Sequence, residues 1–100
     1  MDKNNILEKF ANVQTVADLE DAYNYTMHLL KEELATNMRQ IAVAKYFDSI
    51  FTDAAKTDNR ISLNETRDLI KTLEDNQKEI YITFDKLEEL HRDILKGIKI

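Results

Sequence analysis

One hundred residues, 43% hydrophobic and 33% charged, are enough for a single globular domain, and fourteen bases against nineteen acids leave a formal charge of −5. The absence of cysteine excludes a disulfide scaffold, a thiolate nucleophile and a cysteine-based zinc site. With no proline and one glycine, Gly97, the chain cannot supply the tight turns of a β or α/β fold, so the expected class is all-α with few, long helices.

The opening MDKNNILEKF lacks the apolar stretch of a signal peptide, and no apolar run approaches transmembrane length, which points to a cytoplasmic protein, or one secreted without a signal peptide. Asn5 followed by Glu8 predicts the start of a short first helix, with a side-chain acceptor at the cap and a carboxylate three residues on. Thr15 followed by Asp18 predicts the next start in the same way. Beyond it, Val16, Leu19, Tyr23, Met27, Leu30, Leu34, Met38 and Ile41 recur at steps of three, four and four, an 11-residue period that suits a nearly straight helix.

Past Ile41 the phase slips, and eight of the eleven residues Ile41–Phe51 are Ile, Ala, Val, Tyr or Phe. A helix apolar on every side must be enclosed. Ala44, Phe47, Ile50 and Phe51 are therefore expected at the centre of the core, partly covered by the short first helix. Lys56–Arg60 reads as a turn, and Ser62 with Glu65 as a full capping box opening the last helix.

The pattern after Ser62 is a heptad seam: Leu63, Thr66, Ile70, Leu73, Gln77, Ile80, Phe84, Leu87, His91, Ile94 and Ile98 follow one another by three and four. Leu69, Leu90 and Leu95 widen it. The β-branched run Ile80–Thr83 has strand propensity, which the unbroken period outweighs, and Gly97 marks an expected C-terminus. Helices from Val16 to Lys56 and from Leu63 to Lys96 would extend about 60 Å and about 50 Å. A compact domain of this size has a radius of gyration of about 13 Å. The expected architecture is thus an antiparallel helical hairpin, its seam covered by a second copy, or a small up-down bundle with breaks at residues 36–37 and 74–77. At least one long helix is favoured, because neither candidate break contains Gly or Pro.

No catalytic, metal or cofactor signature stands out. Glu88-x-x-His91 is the half-motif of a di-metal helical bundle, but its second copy is missing: His28 is preceded by Tyr25 at the equivalent spacing. Residues 58–65 look like the latter half of a calcium loop, whose first and third ligand positions would fall on Ala54 and Lys56, so the segment reads better as a helix cap. Adjacent acids such as Glu32-Glu33 point about 100° apart on a helix and share no site. The expectation is a protein that is not an enzyme and holds no cofactor or metal. A net acidic surface also disfavours direct contact with nucleic acid.

Two surface stripes are candidate partner contacts. Asp18, Asp21, Tyr25, Leu29 and Glu32 share the outer face of the second helix, and Ile82 with Asp85 and Glu89 lies on the outer face of the last. Gln77, Phe84 and His91, polar and aromatic members of the heptad seam, are candidates for self-association as a homodimer. The size, the lack of cysteine, the helix–turn–helix layout and the tolerant export pattern Tyr81-Ile82-Thr83-Phe84-Asp85 resemble the small helical proteins exported by ESX-type systems, although the turn here reads Lys-Thr-Asp-Asn-Arg in place of Trp-x-Gly. Size, class and acidity also resemble small helical inhibitors and immunity proteins, and the Lys- and Asn-rich, glycine-poor composition hints at an AT-rich bacterial or phage genome. The preferred reading is a non-enzymatic inhibitor or adaptor that occludes a partner protein, with a secreted ESX-like hairpin and a di-metal bundle as the other two.

Overall fold

In the computed structural model, which describes residues 3–99 (the side chain of Lys99 excepted), the chain forms three helices: α1, Lys3–Ala11; α2, Val16–Ala55; and α3, Asn64–Lys99. The class is all-α, and the two long helices pack on each other as a helical hairpin. Both candidate breaks are absent: α2 runs through Thr36-Asn37 and α3 through Glu74–Gln77 without interruption, the outcome expected of stretches lacking Gly and Pro. Among the described residues there is no strand, and Ile80–Thr83 are helical.

Cap chemistry explains the boundaries. Thr15 Oγ1 accepts from the Asp18 amide at 3.1 Å, and Asp18 Oδ2 accepts from the Thr15 and Gln14 amides at 3.2 Å each, a reciprocal box with Asp in place of Glu. Those amides, together with the Thr15 hydroxyl, hold the Asp18 carboxyl below its usual range. The other two expected starts shift. Asn5 lies inside α1, which begins at Lys3. α3 begins at Asn64, after Leu63, while the Ser62 hydroxyl accepts from the Asn64 amide at a long 3.4 Å. Gly97 is helical with φ below zero, so α3 continues past it rather than ending there.

The turn sits where expected. The Thr57 and Asp58 amides bond back to the Ala54 carbonyl, and the Asp58 carboxylate accepts from both the amide and the guanidinium of Arg60. This grip depresses the Asp58 pKa and gives the segment a local reason to turn without a bound ion.

The chain divides into two compact units. The first holds the residues up to Glu33 and from Ile80 onward; the second holds Leu34–Glu79. In the first, Leu19 and Leu30 are fully buried, with Ala22, Thr26 and Leu87 close behind. The Thr26 hydroxyl, buried, donates to the Ala22 carbonyl at 2.9 Å, so no polar group is stranded there. In the second, Ile41, Ala44 and Leu73 form the core with Ile70 against it, and Asn37 is buried beside them.

The buried line of α2 therefore reads Leu19, Ala22, Thr26, Leu30 and, in the second unit, Asn37, Ile41, Ala44. Within each unit it keeps the steps of three and four but passes through small and polar residues that a count of large hydrophobes skips. Ala and Thr let another helix approach closely, while the bulkier Tyr23, Met27 and Leu34 stand half-buried at the flanks. On α3 every residue of the predicted seam is buried or half-buried.

Candidate protein-interaction surface

The all-round apolar segment of α2 is the feature that its own chain satisfies least. At 100° per residue, Ile41 and Ala44 turn toward Leu73, Val43 and Ile50 turn away, and Phe47 and Phe51 lie at the edge of the side that faces α3. Val43 is 56% exposed, Tyr46 67%, Phe47 47%, Ile50 41% and Phe51 38%. The expectation that Phe47, Ile50 and Phe51 centre the core is thus corrected; only Ala44 is buried. The short helix expected to cover them is engaged elsewhere, since the contacts of α1 lie on residues of the first unit.

Between α2 and α3 of the second unit this leaves an open trough of about 590 Å³. Val43, Phe47 and Phe51 form one wall, Leu69 and Leu73 the other, with Ala44 and Thr66 between them and Thr36, Arg39, Gln40 and Glu65 at the lip. The aromatic rings form a ladder, Tyr46 edge-on to Phe47 at 6.1 Å and Phe47 tilted on Phe51 at 6.0 Å. Two ion pairs tie the helices on the other flank of α2, Lys45–Glu74 at 3.8 Å and Arg67–Asp48 at 3.5 Å. Each is an exposed or half-exposed pair and contributes little to stability. Asn37 Nδ2 donates to the Leu73 carbonyl at 2.9 Å, which pins the register of α2 on α3, while its Oδ1 is buried with no protein partner.

The only charged side chains lining the trough are Arg39 and Glu65.

The first unit takes up several residues singled out from the sequence. Asp18, Asp21 and Glu32 are exposed, the first committed to the α2 cap and the last paired with His28 at 3.1 Å. Tyr25 and Leu29 are half-buried. Tyr25 is held by α1: its hydroxyl accepts from Asn5 Nδ2 at 2.9 Å and Lys9 Nζ sits 4.6 Å from its ring centre. An outer face running unbroken through Tyr25 is therefore interrupted by the short helix. Ile82, Asp85 and Glu89 do point outward, Ile82 at 52% exposure.

The three seam residues assigned to self-association are half-buried within the chain. His91 Nε2 lies 2.7 Å from Glu20 Oε1 and its ring is 4.6 Å from that of Tyr23. Burial pushes the Tyr23 phenol up, and the Glu88 and Glu20 carboxylates add to the effect. His91 is thus taken by an α2 carboxylate of its own chain. Among the described residues no group of three or more His, Cys, Asp or Glu side chains converges as a metal cage would require.

Fold and surface together define an all-α helical hairpin whose second unit presents an uncovered apolar trough. No family model, curated protein or solved structure matches the chain. Among the described residues no helix is long and apolar enough to cross a membrane.

Proposed function

We propose that the chain is a non-enzymatic protein-interaction module, a small acidic helical inhibitor or adaptor that works by binding and occluding a partner protein. The observation that carries this reading is the trough walled by Val43, Phe47, Phe51 and Leu69. Its exposed large hydrophobes are contiguous, whereas scattered single hydrophobes are ordinary on a protein surface. A groove between two helices, apolar inside and polar at the lip, has the form that accepts the apolar face of a third helix.

Charge separates a second surface from the first. The first unit carries eleven acids against seven bases, the second eight against seven. The exposed Asp21, Asp85 and Glu89 thus belong to the strongly acidic unit, where a basic partner would be steered. The apolar trough belongs to the nearly neutral one.

A photo-crosslinking side chain placed at Phe47, with Asn76 as the exposed control, tests the reading in cells of the source organism. Docking predicts a protein adduct at position 47 and none at position 76. Equal yields at the two positions would sink the proposal.

A further inference from the structure

We propose that the occupant of the trough is a single amphipathic helix of another protein, about three turns long, with acids in its first turn and bases in its last. It lies parallel to α2, its apolar face down between Phe47 and Leu69. This rests on the docking reading above and names the chemistry of the partner. With its apolar face sunk in the trough, that helix is withheld from any other site, which is the occlusion proposed above.

Area and length set the size of the occupant. Val43, Phe47, Phe51 and Leu69 line the trough and are each roughly half-exposed. With about 200 Å² for a whole large side chain, these four offer roughly 400 Å² of apolar surface. A homodimer interface commonly buries about 1,000 Å² or more of each copy, about 65% of it apolar, so a second copy would find too little here. Four large side chains on one face of a helix, each half sunk, cover about the same 400 Å². From Arg39 to Phe51 the trough extends about 18 Å along α2, which is about three turns. Its floor is made of the short side chains of Ala44 and Thr66, leaving depth for leucine or methionine at positions i, i+4, i+7 and i+11 of the occupant.

The charges at the two ends set its direction. Here α3 runs antiparallel to α2, as the pairs Lys45–Glu74 and Arg67–Asp48 show, so Glu65 lies at the Phe51 end of the trough and Arg39 at the Leu73 end. Both charges are exposed. The Arg39 guanidinium donates to the Thr36 hydroxyl at 3.2 Å, and no ion pair among the described residues engages Glu65. A helix stabilises its own dipole with acids in the first turn and bases in the last. Laid parallel to α2, such a helix meets Arg39 with its acids and Glu65 with its bases. Turned round, it sets like charges against each other at both ends.

The probe is a synthetic peptide of about fourteen residues with glutamates first, lysines last and leucines at the four anchor positions, titrated into the purified full chain. The expected result is saturable binding with a Kd between about 1 and 100 μM, and a peptide of the same composition with scrambled anchors at least about tenfold weaker. Arg39→Glu and Glu65→Lys should each weaken binding about fivefold, because each turns one exposed attraction into a repulsion. Val43→Glu/Leu69→Glu, at exposed positions, should abolish binding with helix content unchanged. A nitroxide on the first residue of the peptide should broaden the amide signals of Thr36–Gln40 and spare those of Phe51 and Glu65. Absence of saturable binding, a Kd indifferent to both charge changes, or broadening at the Phe51 end overturns the proposal. So does a chain that sediments as a dimer and is made monomeric by Val43→Glu/Leu69→Glu, which would make the occupant a second copy. If any of these is found while position 47 still gives a protein adduct in cells, the helix is wrong and the docking reading stands.

Discussion

Leu30→Ala should cost about 3 kcal/mol of folding free energy, the middle of the range for deleting a fully buried leucine side chain. Leu30 is 1% exposed and lies on the line Leu19, Ala22, Thr26, where its neighbours toward the N-terminus are small and cannot swell to fill a void. Alanine's better helix propensity returns only a few tenths of a kcal/mol. Against a total of about 5–15 kcal/mol for a domain this size, the loss shows directly as a lower urea midpoint at unchanged slope. Protein concentration must be held constant, because self-association would add to apparent stability. Leu69→Ala is the internal control: at 51% exposure it should change monomer stability by no more than about 0.5 kcal/mol. A Leu30→Ala loss below about 1 kcal/mol would contradict the burial assigned to the first unit.

Asn37→Leu should move stability the other way, upward by about 1–2 kcal/mol. The native side chain makes one hydrogen bond, from Nδ2 to the Leu73 carbonyl, and leaves Oδ1 buried without a protein partner. A hydrogen bond of this kind contributes about 1 kcal/mol net, whereas a stranded buried acceptor costs about 1–3 kcal/mol. Leucine removes both and adds apolar burial beside Ile41 and Leu73. The Leu73 carbonyl is not orphaned by the change, since within α3 it can still accept from the amide four residues on. For a domain of this length the melting temperature should rise by roughly 4–8 °C per kcal/mol. A fall in melting temperature would mean that register pinning by Asn37 outweighs its desolvation.

Much of this architecture could be read from the sequence because backbone chemistry determines it locally. The absence of proline, the seam from Leu63 to Ile98, the Thr15–Asp18 box and the Lys56–Arg60 turn each act within a few residues, and each is where it was expected. Two cap patterns miss by a turn or less, the usual scatter at helix ends: α1 reaches back to Lys3 and α3 starts after Leu63. The harder question is which side of α2 faces inward. Large hydrophobes pointed to Val16 and Met38, which are 43% and 51% exposed, while the helices meet over Ala22, Thr26, Asn37 and Ala44. Close packing rewards small residues at a crossing, and hydrophobic counting cannot register that.

The interaction surface shows the same limit from the other side. A segment apolar all round was read as enclosed, and the requirement for cover is sound, but Ile41–Phe51 does not obtain it from α1. Sequence patterning records that a face needs a partner without recording whose chain supplies it. His91 is the converse case: a histidine three residues after a glutamate suggested ligands, and the fold instead gives it Glu20, seventy-one residues away.

All of this depends on α2 and α3 running unbroken through residues 36–37 and 74–77, because a break would free a segment to fold over Phe47. Amide hydrogen exchange of the full chain, resolved to single residues, measures that continuity directly. Uninterrupted helices predict slow exchange at residues 36–40 and 74–77, with protection no lower than in the flanking turns. Fast exchange confined to either stretch, with slow exchange on both sides of it, would contradict the continuous hairpin and remove the basis for the open face.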